Sequence, residues 1–262
     1  MRVGFYQFRP RFGDVEGNTR RIVDALAGVD ADVVVLPELA LTGYYFRDRA
    51  ELRDLAADPE RSDSIAELRR LCRRRGLYVV LGCAERDGKR IFNSSLLLGP
   101  RGPLRRYRKL HLFNLERRWF DPGDLPLAVH RVRGVRVGMM VCFDWVFPEV
   151  ARTLALEGAE LICHPSNLVL DHCQRVMRSR CLENGVFAVT ANRFGADRRP
   201  HGSVRFTGRS QVVDPLGRVL VAAPAARERV EVVKIDPSLA RGKRITPRNH
   251  LLRDRRPEFY AD

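Results

Sequence analysis

Short, almost unbroken runs of valine, isoleucine and leucine recur along the chain, separated by longer stretches with helical apolar spacing. Val33-Val34-Val35-Leu36 and Tyr78-Val79-Val80-Leu81 leave no polar face, as expected of strands buried on both sides. The run pattern places strands near 2–8, 32–36, 77–83, 94–98, 104–110, 135–142, 160–163, 186–191, 209–214 and 230–235. Helices are expected from Asn18 as N-cap, from Ser62 or Asp63 to Gly76, from Pro148, and from Asp171 to Gly185. Strands buried on both faces need helices over them, so the fold class is α/β. Strand, helix, strand occurs around 2–36 and again around 135–163, which suggests two similar halves.

The 262 residues are 45% hydrophobic, enough for a substantial core. No run approaches the ~20 apolar residues of a membrane span, and Met1 to Phe8 reads as a strand rather than a signal segment. The expected setting is therefore the cytoplasm. Six cysteines without a C-x-x-C pair fit reduced thiols there better than a disulfide framework or a zinc ribbon. Residues 1–240 read as one domain. From Arg241 to Asp262 the pattern turns irregular and charged, as in an extension lying on the body or on a second subunit.

The formal charge of +15 invites a nucleic-acid reading. Its basic clusters, such as Arg73-Arg74-Arg75 and Arg105-Arg106, are dispersed and lack interleaved aromatics, which argues against that class. The composition is informative in another way. Only four lysines are present, at 89, 109, 234 and 243, so 43 of the 47 basic residues are arginine. Lys109 stands beside Arg105, Arg106 and Arg108, where a simple need for charge would have been met by arginine. A compact ammonium that can give up a proton is a different tool, so Lys109 is a candidate site residue.

Two more candidates end strands. Val135 to Val141 delivers Cys142 with Pro148 opening a helix soon after, a placement that suits a nucleophile. Val33 to Leu36 ends in Pro37 and Glu38 in an apolar context, which suits a general base. The six histidines leave a Cys-His pair open, though no motif marks one. No G-x-S-x-G, H-E-x-x-H or P-loop pattern is present.

Pro37-Glu38-Leu39 with Thr42-Gly43-Tyr44, Tyr107-Arg108-Lys109-Leu110-His111, and Val141-Cys142-Phe143-Asp144 with Phe147-Pro148-Glu149 together resemble the three signature regions of the nitrilase superfamily of carbon–nitrogen hydrolases. The resemblance extends through Leu115-Glu116-Arg117, Ala191-Asn192-Arg193 and Asp214-Pro215-Leu216-Gly217, across nearly the whole chain. It implies a four-layer α-β-β-α sandwich of two pseudo-symmetric halves, assembled as a homodimer or larger homo-oligomer with the C-terminal tail at the interface. It also implies Cys142 as nucleophile, Glu38 as general base, Lys109 as the cation facing the developing oxyanion, and Glu116 as a second glutamate beside the lysine. No metal or organic cofactor is implied. Tyr44, Phe143, Trp145 and Asn167 are the expected substrate-binding residues, with the Phe143 backbone N–H a further oxyanion donor. The expected reaction is hydrolysis of a small aliphatic amide through a Cys142 thioester. Alternatives are a small nitrile, an N-carbamoyl amino acid, or an inactive binding protein on the same fold.

Overall fold

The computed structural model describes residues 1–260. In chain order the strands are β1 (Arg2–Gln7), β2 (Val33–Val35), β3 (Tyr78–Asp87), β4 (Arg90–Leu98), β5 (Arg105–Arg108), β6 (Val129–Val132), β7 (Val135–Met139), β8 (Leu161–Ser166), β9 (Phe187–Asn192), β10 (Phe194–Arg199), β11 (Gly202–Thr207), β12 (Gln211–Val213), β13 (Val219–Ala222) and β14 (Arg229–Lys234). The helices are α1 (Val15–Leu26), α2 (Arg49–Leu55), α3 (Asp63–Arg75), α4 (Glu116–Trp119), α5 (Pro148–Leu156) and α6 (Cys173–Asn184). One six-stranded sheet runs β14-β1-β2-β3-β4-β5 and the other β13-β12-β9-β8-β7-β6. In the first, β1, β2 and β3 are parallel, β14 flanks β1 antiparallel, and β4 and β5 complete the other side antiparallel. The second repeats this with β7, β8 and β9 parallel, β6 antiparallel on β7, and β12 and β13 on the far side. The two halves inferred from the sequence are this correspondence.

Alternation within the apolar runs sorts the layers. Val33 and Val35 join Val3, Phe5 and Val80 in a core that reaches Val137, Met139 and Cys163 of the second sheet. Val34 and Leu36 point the other way, onto Ile22 and Leu26 of α1 and Ile65, Leu68 and Leu71 of α3. On the outer face of the second sheet, Val150 and Leu154 of α5 and Met177 and Cys181 of α6 close the stack. The result is the expected α-β-β-α order. α3 is bounded as its sequence indicated, with the Ser62 side chain accepting from the Ile65 N–H and Gly76 left-handed at φ +64°.

Several boundaries differ from expectation. α1 starts at Val15, because Asp14 takes the capping role and accepts from the Gly17 N–H at 3.0 Å. Asn18 is buried inside that helix, its amide tied to the Arg11 and Leu41 carbonyls at 2.7 and 2.8 Å. The strand expected over 135–142 ends at Met139, and Cys142 opens a tight helical turn, Cys142–Val146. The charged hairpin β10–β11 carries no strand-like run, because Asp197, Arg198, Arg199 and Arg205 break the apolar pattern. Beyond Arg241 the tail packs on the end of α6, where Lys243 Nζ donates to the Asn184 and Gly185 carbonyls at 2.8 and 2.7 Å. No helix among the described residues is long and apolar enough to cross a membrane.

Candidate active site

The carboxyl ends of the parallel strands converge on one buried cluster. Pro37 terminates β2, and the next backbone segment crosses β3 at Gly82, where a Cβ would lie 2.5 Å from Glu38 Cα. That close approach fixes the direction of Glu38. Lys109 follows β5, held by its N–H to the Asn93 carbonyl at 2.8 Å and by its carbonyl to the Gly123 N–H at 2.9 Å. Glu116 opens the short helix α4 and is fully buried.

Cys142 sits at φ +43°, a left-handed conformation rare for a residue with a Cβ. The surrounding contacts over-determine it. Asp144, buried two residues on, accepts from the Val141 N–H at 2.8 Å and from the Tyr107 hydroxyl at 2.7 Å. It also lies 2.8 Å from His111 Nδ1, so one carboxylate ties the cysteine turn to the lysine-bearing segment. From β8, His164 Nε2 donates to the Cys142 carbonyl at 2.9 Å while its Nδ1 faces the Thr190 hydroxyl at 3.2 Å. Burial pushes His164 down to about 4, which keeps the imidazole neutral as a donor to backbone. His164 thus meets the backbone carbonyl of Cys142, with no hydrogen bond to its sulfur.

Lys109 Nζ is 2.7 Å from Glu38 Oε1 and 2.9 and 2.8 Å from the two carboxylate oxygens of Glu116. Burial alone would depress this ammonium, but Glu116 and Glu38 outweigh it and hold Lys109 well above its ordinary value. Burial, with Glu38 adding to it and Lys109 opposing, raises the Glu116 carboxyl. The same set surrounds the thiol. Burial and the charge of Glu38 push Cys142 well up, against Lys109 and the Asn167 backbone N–H aimed at the sulfur. Asn93 Nδ2 donates to Glu38 Oε1 at 2.7 Å, so that oxygen holds two donors, while Oε2 is buried without a partner.

Phe143, Trp145 and Asn167 line one small cleft with Cys142, about 20 Å³, closed by Phe113 and Leu168 to Leu170. Tyr44 is placed differently: its hydroxyl donates to Glu116 Oε1 at 2.8 Å, and Glu116 and burial keep that phenol neutral. Both side-chain polar atoms of Asn167 are buried without partners. Sequence reasoning did not single out Asn93; Asp144 stood in the Cys142 signature without a role of its own, and His164 was one of six histidines left open as a partner for Cys142. The one signal for Asn93 is a polar Asn93-Ser94-Ser95 step inside an otherwise apolar strand.

The carbon-nitrogen hydrolase family model matches residues 2–244. A nitrilase from Pyrococcus abyssi is 41% identical, with 99% of each chain covered. An (R)-stereoselective amidase from a Pseudomonas species is 39% identical over 90% of this chain and 85% of its own. Among solved structures, a variant of the amidase from Nesterenkonia sp. AN1, carrying the product of Michael addition of acrylamide at its active-site cysteine, superposes with a TM-score of 0.83 at 27% identity, covering 98% of this chain and 97% of that one. With the sandwich, the buried glutamates and lysine and the strand-end cysteine in place, these likenesses make the chain a member of the carbon–nitrogen hydrolase family, the nitrilase superfamily, and an enzyme.

Proposed function

We propose that the protein hydrolyses small aliphatic amides to a carboxylic acid and ammonia, with Cys142 as nucleophile, Glu38 as general base and Lys109 as the oxyanion-facing cation. The observation that carries this reading is the asymmetry of Glu38. Its Oε1 is fixed by Lys109 and Asn93, and its Oε2 is left free and buried within the same cluster as Cys142. Oε2 takes the thiol proton as sulfur attacks the amide carbon. The carbonyl oxygen gains negative charge opposite Lys109 Nζ and the Phe143 N–H, in a buried site where such contacts are strongest. Collapse breaks the C–N bond, and ammonia leaves with the proton held by Glu38. Water then gives a proton to Glu38 as its oxygen attacks the thioester; the sulfur leaves and recovers a proton from the same carboxyl. Glu116 and Tyr44 hold Lys109 in place.

The lining of the cleft supports a short apolar acyl group. Phe113, Phe143, Trp145 and Leu168 are its walls, Asn167 offers a free carboxamide to the substrate amide, and no arginine lines it to meet the carboxylate of an N-carbamoyl amino acid. The 41% identity to a protein named a nitrilase favours nitriles as the second reading. Ammonia release from propionamide, butyronitrile and N-carbamoyl-β-alanine separates the three. Expected is turnover of propionamide that disappears in Cys142→Ala; no ammonia from any amide, or equal release by the variant, refutes the proposal. We further propose a cytoplasmic homodimer with the tail at its interface, supported by six free cysteines and by exposed Leu156, Leu182, Phe259 and Tyr260. A monomeric mass by light scattering would overturn the dimer.

A further inference from the structure

The body of the protein pairs many of its arginines. Arg106 and Arg108 converge on buried Glu85, Arg193 on Asp197, and Arg199 on Glu51. In a cleft of about 720 Å³ around Arg9, Arg11, Arg21, Arg198 and Arg199, three of the five arginines likewise meet a carboxylate, Asp14, Glu228 and Glu51. The rim at the other end of the sandwich departs further from this pattern. Tyr78 opens β3, Gly99 follows antiparallel β4, Arg105 opens β5, and Arg131 and Arg133 flank the turn into β7. The register therefore puts all of them at the amino-terminal end of the parallel strands, across the sandwich from Glu38, Lys109 and Cys142.

Two adjoining clefts occupy this rim and share Tyr78 and Arg101. One, about 350 Å³, brings in Arg105, His130 and Arg131; the other, about 560 Å³, brings in Arg73 and Arg133. Five guanidinium groups thus border one continuous depression. Among the described residues only Arg133 has a carboxylate partner, Asp32 at 3.2 Å. Arg131 also stands directly across the ladder from Arg136, a like-charge neighbour that disfavours the strand pair. Burial and the charge of Arg105 lower the half-buried His130, so the positive field reaches into the cleft.

Uncompensated guanidinium groups gathered around a concave surface match a ligand with several closely linked anionic groups. Each fork can hold two phosphoryl oxygens, and the linked clefts suit a chain of such groups better than a single one. We propose that this rim is a binding site for an oligophosphate, either free or as the phosphate tail of a nucleotide. The Tyr78 phenol lies where the clefts meet, and Arg101 bridges them.

Calorimetric titration with tripolyphosphate, ATP and citrate at constant ionic strength tests this without using hydrolysis as the readout. Tripolyphosphate is expected to bind saturably, and Arg101→Ala/Arg105→Ala to weaken it about tenfold or more; a charge-matched Arg9→Ala/Arg198→Ala control should bind as the parent does. The four arginines are exposed, and Arg131→Glu provides a second, single-site variant should the double variant lose its thermal transition. ATP binding tighter than tripolyphosphate assigns the nucleotide as source; equal or weaker binding assigns the free oligophosphate. Absence of saturable binding, the same affinity in both rim variants as in the parent, or citrate binding as tightly as tripolyphosphate overturns the proposal.

Discussion

His164 offers a quantitative test of how the cysteine turn is held. Its imidazole is fully buried and pushed down from 6.5 to about 4, with desolvation the leading cause. In the unfolded chain the same group takes a proton near 6.5, so acid favours unfolding. The stability associated with neutral His164 is intact above 6.5, is lost as pH falls, and is fully lost near 4. The full difference is worth about 3 kcal/mol, and about 2 kcal/mol of it is gone by pH 5. Comparing the parent with His164→Asn by urea unfolding at pH 7.5 and pH 5, at one protein concentration, isolates this contribution because other titrating groups cancel. At pH 7.5 the variant should be less stable by about 1–3 kcal/mol, from lost packing and a weakened hold on the Cys142 carbonyl. At pH 5 that gap should narrow by about 2 kcal/mol, since asparagine has no proton to take up. A gap of the same size at both pH values would refute the argument, showing either that His164 is not held neutral or that its burial does not persist in solution.

Two further substitutions probe the chemistry. Lys109→Arg keeps the charge but must fit a broader group into a fully buried slot between Glu38 and Glu116; kcat/KM for an amide should fall about 100-fold or more, and retained turnover would show that positive charge alone suffices. Asn167→Leu removes a cleft side chain whose buried amide atoms have no partner; KM for propionamide should rise several-fold with thermal stability equal or higher, and an unchanged KM would remove Asn167 from substrate recognition.

Legibility of the sequence followed the strength of local patterns. Val33 to Leu36 could be placed because a strand buried on both faces admits only apolar residues, and the structure divides those four between an inter-sheet core and a helix-facing core. Pro148, Ser62 and Gly76 marked helix ends for reasons intrinsic to their backbones. The β10–β11 hairpin carries no such pattern, since it is a two-stranded ribbon outside the main sheets with charged residues on it. Among site residues, Lys109 was visible as a lysine among arginines, and Glu38 and Cys142 as strand-end residues. The roles of Asp144 and His164 were not, because they lie in which groups these side chains meet: the Val141 N–H and the Tyr107 hydroxyl for one, the Cys142 carbonyl for the other. Such long-range hydrogen bonding leaves no periodic trace.

Arginine abundance separates into two physical situations in the fold. Where arginine is buried it is matched, as Arg193 is by Asp197 and Arg108 by Glu85 and Asp124, because an unpaired buried guanidinium would be strongly unfavourable. Where it is exposed the fold imposes no such condition, and the rim around Arg101 is one place where the charge accumulates.

The charge state of the buried cluster also bears on the order of proton and bond transfer in the proposed reaction. Two carboxylates face one ammonium, so adding a thiolate would place a further negative charge in a fully buried site, and Cys142 is accordingly pushed well above its ordinary value. A resting thiolate of the kind stabilised by an imidazolium is thus disfavoured; His164, which meets the Cys142 carbonyl, is itself held neutral. The sulfur proton has to leave while the sulfur lone pair enters the substrate carbon. That timing places negative charge on the substrate oxygen, facing Lys109, instead of on sulfur facing Glu38. The buried second glutamate, which looks unfavourable at rest, then contributes by fixing Lys109 where that oxygen charge develops.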